Sequence, residues 1–356
     1  MVAMLDKYYN TLFTTKTAIV AATTFLSLIT TLVWHMNNKR RSSRNDKEKD
    51  IVSLQSNGAP TTVNATVAQD PFDKLADTYD SSFCDTSVGR LLRLQTWKDI
   101  DEAFATSACK TKEDFPVLEI SCGTGVDAVH LATKHVHVLA TDYSPGMLRK
   151  ARQKCSSTPS IPQDCLPTFK ELNLRDSHYD IALEPTHKFA GAYCNFGGLN
   201  NVSPEDIQHL AHELSELVHP GGKVVLVVMG RFCLFETLYY LLKGNFKRVL
   251  RRLRSTQKGG VSARVAPKTN KQQVYFYSIS FLEETFNSTN AFVTIKKKAI
   301  GLTLPPSLWS RSSSKRINPS LLEFLSLVDS LLSEHWLFRN LGDHFLIEFE
   351  RVNDLP

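Results

Sequence analysis

The sequence predicts an α/β fold in which helices flank a mostly parallel sheet. Two observations predict it. The apolar run Pro116–Ile120 leads through a glycine-rich turn into a helical pattern, and a second apolar run, Val136–Ala140, closes at Asp142 before another helix. Since parallel strands need a crossover between them, strand, helix and strand in this order indicate a parallel unit. With 356 residues, the chain has room for such a domain and for extensions to it.

The composition is that of an ordinary globular protein, with 42% apolar and 22% charged residues. It excludes a wholly disordered, collagen-like or polytopic membrane chain. The formal net charge is +6, yet ten Lys or Arg and no acid fall between Lys243 and Lys271. The basic character is therefore local, which argues against nucleic acid as a partner. No group of His, Cys and acidic residues has metal-ligand spacing, so no metal site is predicted.

The N-terminal 36 residues contain Thr17–Met36, which is free of formal charge and about 30 Å long as a helix. This length favours a single membrane anchor; a cleaved secretory signal, a mitochondrial presequence and a buried soluble helix are the alternatives. Six Lys or Arg between Asn37 and Ser56 predict a cytosolic catalytic domain on a single-pass membrane protein, with a mitochondrial membrane as the alternative. Residues 37–70 are polar and predict a linker.

The glycine-rich turn and the acid after the second strand together favour an adenosine cofactor. Glycines let the backbone turn sharply and approach a ligand closely. Asp142, at the end of the second strand, can accept hydrogen bonds from both hydroxyls of a ribose. The turn lacks the third glycine of the dinucleotide pattern G-x-G-x-x-G, which disfavours NAD and FAD.

Five stretches of the chain resemble class I S-adenosylmethionine-dependent methyltransferases of the type 11 and type 25 groups. VLEISCGTG (117–125) is similar to their first motif, with Ser121 where glycine is usual. The resemblance implies a Rossmann-like fold with a seven-stranded, mostly parallel sheet, an antiparallel last strand and a lid insertion, in a domain covering 71–356. The other four stretches are FDKLADTYD (72–80), VLATDYSPGML (138–148), ELNLRD (171–176) and LVHPGGKVVLVV (217–228).

The resemblance also implies a site for S-adenosylmethionine. Glu119 and the backbone amides around Gly123 and Gly125 would hold the amino acid part of the cofactor. Asp142 would bind the ribose, and Tyr143 would lie beside the adenine.

Four further residues follow from the same resemblance. Asn173 would accept a hydrogen bond from the adenine N6, and Leu174 would offer a backbone N–H to the ring. Tyr79 belongs to the aromatic lead-in that closes over the cofactor. Asn195 follows the fourth strand, Phe189–Tyr193, and would orient the methionyl part or the acceptor; a turn-forming Asn is the alternative.

The region after the fifth strand predicts the acceptor side. Leu234–Leu253 has the spacing of two short amphipathic helices, broken at Gly244, with the basic residues on the opposing face. They belong to a predicted lid at about 231–290. The basic face is either simply solvated or binds anionic lipid. Gln273–Phe281 alternates and predicts a strand whose tyrosines line an apolar acceptor site or pack in the sheet.

The last elements are the predicted strand Phe292–Leu302, the helix Leu321–Phe338 and the strand His344–Arg351. His344 beside Asp343 is a weak candidate for a catalytic base, because neighbouring residues on a strand point to opposite faces. The sequence therefore identifies no catalytic residue.

The predicted function is methyl transfer from S-adenosylmethionine to a small, apolar or amphipathic acceptor near a membrane. After the fourth strand the chain lacks the D/N-P-P-Y/F motif of amino-DNA methyltransferases, which argues against that class. Two alternatives stay open: a non-catalytic membrane assembly factor with this fold, and an RNA or protein methyltransferase.

Overall fold

The computed structural model describes most of the chain from residue 72 onward. The predicted anchor at 17–36, apart from Ser27, and the predicted linker at 37–70 lie outside the described residues. Within the described part, no helix is both long enough and apolar enough to cross a membrane. The described residues are 27, 72–105, 115–176, 179, 189–254, 261–264, 271–309 and 317–352.

Seven strands form one sheet, and a separate hairpin lies between the fifth and the later strands. The strands are β1 (Val117–Ile120), β2 (Val138–Asp142), β3 (Thr168–Glu171), β4 (Phe189–Cys194), β5 (Val218–Met229), β6 (Val261–Arg264), β7 (Lys271–Val274), β8 (Phe292–Ile300) and β9 (His344–Arg351). The sheet order is β3-β2-β1-β4-β5-β9-β8, and β6 pairs with β7. Strand β9 runs antiparallel to both its neighbours, whereas β1 to β5 are parallel. The predicted seven-stranded fold is confirmed.

Helices cover both faces of this sheet. Short 3-10 turns lie at 163–165, 198–201, 252–254 and 307–309. The helices are α1 (Tyr79–Ser82), α2 (Ser87–Phe104), α3 (Val126–Ala132), α4 (Pro145–Ser156), α5 (Pro204–Leu217), α6 (Leu234–Leu242), α7 (Phe246–Val249), α8 (Ile279–Asn287) and α9 (Pro319–Leu332).

Local sequence explains where several helices begin. Ser144 accepts a hydrogen bond from the backbone of Met147 at the start of α4, and a proline follows the cap. Ser203 and Asp206 form a reciprocal capping box at the start of α5. These caps fix the direction in which each helix leaves its strand.

Alternating residues of β5 divide the core between two faces. Val225 and Val227 belong to the buried cluster that includes residues of α2, α6 and α9. Val224 and Leu226 belong to the second buried cluster, with residues of α5 and α8. Since successive side chains on a strand point to opposite faces, the sheet lies between these clusters.

The strand predicted at Gln273–Phe281 is wrong beyond Val274, because a helix begins at Ile279. Ser278 caps that helix by accepting a hydrogen bond from the backbone of Phe281. The Tyr277 hydroxyl donates to the Val202 carbonyl at 2.6 Å, and Tyr277 packs in the cluster on the α5 side. Tyr277 is thus a packing residue, and Tyr275 and Phe281 pack, partly buried, against the same cluster.

The later elements follow the predictions more closely. Strands β8 and β9 coincide with the predicted strands to within two residues. Helix α9 starts before the predicted Leu321, because Asn318 caps it and Pro319 occupies its first turn. The predicted end at Phe338 is wrong, since the helix ends at Leu332. In the predicted lid at about 231–290, α6, α7 and the β6–β7 hairpin come first, while α8 contacts α5 and β8.

Candidate cofactor and acceptor site

The glycine turn between β1 and α3 combines an open side with a tightly packed side. Gly123 and Gly125 have φ angles of 54° and 72°, in the left-handed region that favours glycine. A Cβ atom on Gly123 would meet no atom within 4 Å, whereas one on Gly125 would lie 2.7 Å from the Cβ of Ala151. Gly125 therefore permits the contact between α3 and α4, and Gly123 leaves the backbone accessible to a ligand.

Asp142 joins the glycine turn to the loop after β2. Its Oδ2 accepts a hydrogen bond from the backbone N–H of Gly123 at 2.8 Å, and its Oδ1 accepts one from the N–H of Ser144 at 2.9 Å. The backbone N–H of Leu172 donates to the Asp142 carbonyl at 3.1 Å. The predicted ribose ligand, the predicted glycine turn and the predicted adenine segment thus meet at the carboxyl ends of β1, β2 and β3.

The lead-in segment at 72–80 lies across both of these loops. The Ser144 hydroxyl donates to Asp73 at 2.6 Å, beside the end of β2. The Thr124 hydroxyl, in the glycine turn, donates to Asp80 at 2.6 Å. Two carboxylates therefore fasten the lead-in to the two loops, and its closing over a cofactor stays a prediction.

Tyr79 lies on this lead-in. Burial raises the pKa of its hydroxyl, and the nearby Cys84 thiol and Asp142 carboxylate act in the same direction. The Tyr79 ring lies edge-on to Phe83 at 6.2 Å, and its contact with a cofactor stays a prediction.

Glu119 is a buried carboxylate with an unmatched oxygen. It lies within β1 and is 1% exposed. Its Oε2 has no hydrogen-bond partner among the described residues. Burial raises the pKa of this carboxyl well above its usual range, and the Asp127 carboxylate adds to the effect. Because a buried unpaired charge is costly, Glu119 favours the approach of a cationic group.

Asp127, on α3, binds several side chains, and the sequence did not predict this role. It pairs with the guanidinium of Arg93, and the Trp97 indole N–H donates to it at 2.6 Å. Arg93 and Trp97 lie one turn apart on α2. Although burial opposes it, the Asp127 carboxylate holds the pKa of Arg93 above its usual range. The Nε of Arg93 has no hydrogen-bond partner among the described residues.

Asn195 connects Asp127 to the loop after β4. Its amide nitrogen donates to Thr96 at 3.0 Å and to Asp127 at 3.1 Å, and its oxygen accepts from the Phe196 backbone at 3.1 Å. The Arg93 guanidinium lies 5.1 Å from the centre of the Phe196 ring. Asn195 therefore orients the loop, and its contact with a ligand stays a prediction.

The predicted adenine residues lie at the same edge of the sheet. Tyr143 is mostly exposed and Leu174 is buried. Asn173 forms a local turn, in which its side-chain oxygen accepts from the Arg175 backbone at 3.2 Å and its nitrogen donates to Asp176 at 2.8 Å. Their contacts with an adenine ring stay predictions.

A buried charge network lies on the predicted acceptor side and comprises Glu236, Arg251, Arg252 and Asp343. Glu236 accepts hydrogen bonds from Arg251 and Arg252, at 2.9 and 2.8 Å. Arg252 also donates to the Asp343 carboxylate at 2.5 Å and to its carbonyl at 2.8 Å. The prediction that the basic residues form an outward face is wrong for Arg251 and Arg252, because the acid on α6 draws them inward.

His344 lies between this network and the loop after β4. Its Nδ1 is 3.2 Å from the Asp343 carboxylate, and its ring meets Phe196 edge-on at 5.5 Å. A Cβ atom on Gly197 would lie 3.9 Å from its Nε2. The expectation that Asp343 and His344 point apart is wrong, since Asp343 precedes β9 and does not follow its pleat. Nδ1 has no hydrogen-bond partner among the described residues, so the carboxylate acts on the ring through its charge. A histidine beside a carboxylate can act as a base through its other nitrogen.

These residues fit S-adenosylmethionine. The unmatched oxygen of Glu119 suits an ammonium group, and the open side of Gly123 admits the methionyl part. Each carboxylate oxygen of Asp142 can accept a second hydrogen bond, as ribose hydroxyls require. The strand order reverses between β1 and β4, where ligands of open α/β sheets bind.

The chain is similar to known methyltransferases. Residues 117–222 match the family model Methyltransf_25, a methyltransferase domain. This match includes the glycine turn, Asp142 and Asn195. Together with the strand order, it identifies a class I methyltransferase fold.

Two curated relatives are demethylmenaquinone methyltransferases. The protein of Clavibacter sepedonicus is 26% identical over 155 residues, which are 44% of this chain and 55% of the relative. The protein of Mycobacterium sp. strain KMS is 28% identical over 181 residues, 48% of this chain and 65% of the relative. The chain thus spans less than two thirds of the length of these relatives.

Two solved structures are also similar. A SAM-dependent methyltransferase from Methanosarcina mazei is 18% identical, with 68% of this chain and 94% of that chain covered and a TM-score of 0.44. Magnesium protoporphyrin IX methyltransferase from Synechocystis PCC 6803, with bound SAH, is 14% identical, with 74% and 87% covered and a TM-score of 0.44.

Some of the missed residues carried a signal in the sequence. Asp73 and Asp80 belong to the lead-in motif. Acids between aromatic residues there could have indicated hydrogen bonds to neighbouring loops. Glu236 is the one acid of α6, an otherwise mostly apolar helix, and it precedes the Arg251–Arg252 pair. An isolated acid among apolar residues indicates a buried ion pair, since an unpaired one would be costly.

Proposed function

We propose that this chain is an S-adenosylmethionine-dependent methyltransferase whose acceptor is a small, apolar or amphipathic molecule. The proposal depends mainly on the buried Glu119 carboxylate, whose Oε2 has no hydrogen-bond partner among the described residues. It lies in the strand that leads into the glycine turn, where a Cβ atom on Gly123 would meet no atom within 4 Å. The match of residues 117–222 to a methyltransferase domain supports this assignment.

When bound, the cofactor supplies an electrophilic methyl group on a sulfonium. Glu119 binds the ammonium of its amino acid part, and Asp142 orients its ribose. Asp73 and Asp80 hold the lead-in over the turn and so exclude water from this side. Because methyl transfer is an in-line displacement, holding the two reactants in the attack geometry supplies much of the rate enhancement.

His344 is the proposed base. Its Nε2 faces the loop after β4, where acceptors lie in open α/β folds. If the acceptor carries a hydroxyl or an acidic C–H, Nε2 would accept the proton that the acceptor loses on methylation. The negative charge of Asp343, 3.2 Å from Nδ1, would then stabilise the imidazolium.

The proposed acceptor class is a quinone-like lipid, which the names of the curated relatives support. We also propose that residues 17–36 anchor the chain in a membrane with the domain on the cytosolic side. An anchored enzyme would meet a membrane-dissolved acceptor without its diffusion through water. The competing function is a non-catalytic assembly factor with the same fold.

The first test is calorimetry of S-adenosylmethionine binding to the full chain in detergent. We expect binding that Glu119→Ala weakens and that the control Glu171→Ala, at an exposed position on β3, leaves unchanged. Absence of binding by a folded sample would exclude the enzyme.

The second test identifies the acceptor class. The full chain is incubated with methyl-labelled S-adenosylmethionine and a membrane extract, and the organic-soluble, protein and nucleic-acid fractions are separated. Label in the organic phase that is absent with Glu119→Ala supports the proposal. Label confined to protein or RNA overturns it.

A further inference from the structure

The segment from the end of α6 to the turn after α7 carries an exposed apolar surface. Its five side chains are between 40% and 70% exposed, and all fall within thirteen consecutive residues. We call it the α6–α7 surface; it comprises Leu241, Leu242, Phe246, Leu250 and Leu253.

Cations surround this surface without acids among them. Lys243 and Lys247 are exposed, and Arg248 is half-buried. The sequence contains no Asp or Glu between Glu236 and Glu283. Glu236 is itself occupied by two arginines of the buried charge network. This stretch of the sequence therefore carries only positive formal charge; the Lys243 ammonium lies 4.4 Å from the centre of the Tyr239 ring and the Arg248 guanidinium 5.8 Å from that of Tyr240.

A second exposed apolar surface, on α9, differs in its charge. Phe324, Leu327 and Leu331 are exposed to a similar degree. Glu323 and Glu334 flank them, and the sequence has no Lys or Arg between 317 and 338. Apolar exposure is thus common to both surfaces, and the cations distinguish the α6–α7 surface. Apolar side chains ringed by Lys and Arg suit the boundary between anionic headgroups and acyl chains.

The opposite side of α6 is firmly packed. The rings of Tyr239 and Tyr240 contact Trp309, at 4.5 and 5.8 Å between ring centres. Arg252 ties the end of the segment to Asp343, the neighbour of His344. The α6–α7 surface is therefore held at a fixed position relative to the acceptor side.

We propose that the α6–α7 surface inserts into an anionic lipid bilayer and so turns the acceptor side toward the lipid. Phe246 and Leu250 enter the acyl boundary, while Lys247, which lies next to Phe246 in the chain, contacts the headgroups. The proposal deepens the proposed function by naming the surface at which an apolar acceptor enters, yet it requires no methyl transfer to be true.

The test measures lipid contact at single positions in the full chain, because a predicted anchor at 17–36 would mask simple binding. An environment-sensitive fluorophore is attached at Phe246→Cys or, as the matched control, at Leu331→Cys on α9; these positions are 70% and 74% exposed. The six described cysteines are buried, and the seventh is removed by including Cys109→Ser in every protein. Vesicles of phosphatidylcholine with phosphatidylglycerol are compared with phosphatidylcholine alone, and spin-labelled lipid is the quencher.

We expect the probe at position 246 to shift to the blue and to be quenched on the anionic vesicles only. The probe at 331 should stay in water on both. A second labelled variant, Leu250→Cys, should behave like the first. Replacing Lys247 with Ser should lower the ratio of inserted to free probe about fivefold, since a cation near such a surface contributes about 1 kcal/mol.

Three results would overturn the proposal: a probe at 246 that stays in water on anionic vesicles, equal responses at 246 and 331, or burial of the 246 probe with rising protein concentration and no lipid. The last would identify a protein as the occupant. None of these measurements uses cofactor or acceptor. Insertion without any methylation would therefore reject the proposed function and keep this surface.

Discussion

The cofactor side and the acceptor side of the molecule both bury carboxylates, but they differ in what the carboxylates bind. On the cofactor side, Asp73 and Asp142 accept from backbone amides or a hydroxyl, and Glu119 keeps an oxygen without a partner among the described residues. On the acceptor side, Glu236 and Asp343 are bound by arginines. The first arrangement leaves a position for a ligand, whereas the second builds a rigid support.

The two sides also depend on pH in opposite ways. Burial raises the pKa of Glu119 well above its usual range. Although burial opposes it, His344 and Arg252 hold the pKa of Asp343 well below its usual range. A raised carboxyl pKa loses folding stability as pH rises, and a lowered one loses it as pH falls.

The largest effect should come from breaking the buried charge network. Arg252→Met leaves Glu236 and Asp343 buried without their shared partner. We expect it to lower the free energy of unfolding by about 3 to 5 kcal/mol, measured by urea denaturation. Lys247→Met, at an exposed position nearby, should change stability by less than about 0.5 kcal/mol. Equal effects of the two would show that the network does not support the fold.

The next largest effect tests whether His344 acts in methyl transfer rather than in cofactor binding. His344→Asn should lower the rate of label transfer to the organic fraction roughly 10²-fold, the low end of general acid–base contributions. The affinity for S-adenosylmethionine, measured by calorimetry, should stay the same. A loss of affinity with an unchanged transfer rate would assign His344 to the cofactor side.

Asp142→Ala tests whether the cofactor side binds S-adenosylmethionine through Asp142. Its loss removes a charge-assisted acceptor worth about 1.5 to 3 kcal/mol, so cofactor affinity should fall roughly 10- to 100-fold by calorimetry. Melting without cofactor should also fall modestly, since Asp142 holds the Gly123 and Ser144 amides. Unchanged affinity with lost stability would make Asp142 purely structural.

The last prediction concerns the pH dependence of stability and tests whether the buried Glu119 carboxyl destabilises the protein when no ligand is bound. The pKa of the Glu119 carboxyl is raised on folding. Its contribution to folding stability is therefore fully present below the unfolded pKa and is lost as pH rises toward the native pKa. Glu119→Gln removes that loss and should therefore stabilise the cofactor-free protein at neutral pH, by an amount that grows as pH rises.

Urea denaturation at about pH 5 and at about pH 8, the two ends of the range in which proteins are usually most stable, provides the measurement. The stabilisation by Glu119→Gln should grow from the lower to the higher pH. Destabilisation by Glu119→Gln at both values would mean that the carboxylate is already satisfied in the protein.

Much of the parallel half of the fold could be predicted from local sequence. Glycines at 123 and 125, Ser144 before a proline and Ser203 before another specify turns and caps through contacts between near neighbours in the chain. Such features are short-ranged, so the residues themselves contain the information. The same holds for Asp142, which ends its strand next to the glycine turn.

Tertiary structure alone decided which charges are buried and paired. Arg90 and Arg93 stand on the same helix and carry the same charge, yet Arg93 is buried on Asp127, thirty-four residues further along the chain. Arg252 meets Asp343 across ninety-one residues. The pairing free energy of a buried charge depends on a partner that folding brings near, which no local pattern specifies. For the same reason the glycine turn of the predicted cofactor site could be predicted from its own residues. The Arg252–Asp343 pair next to His344 could be seen only in the folded chain.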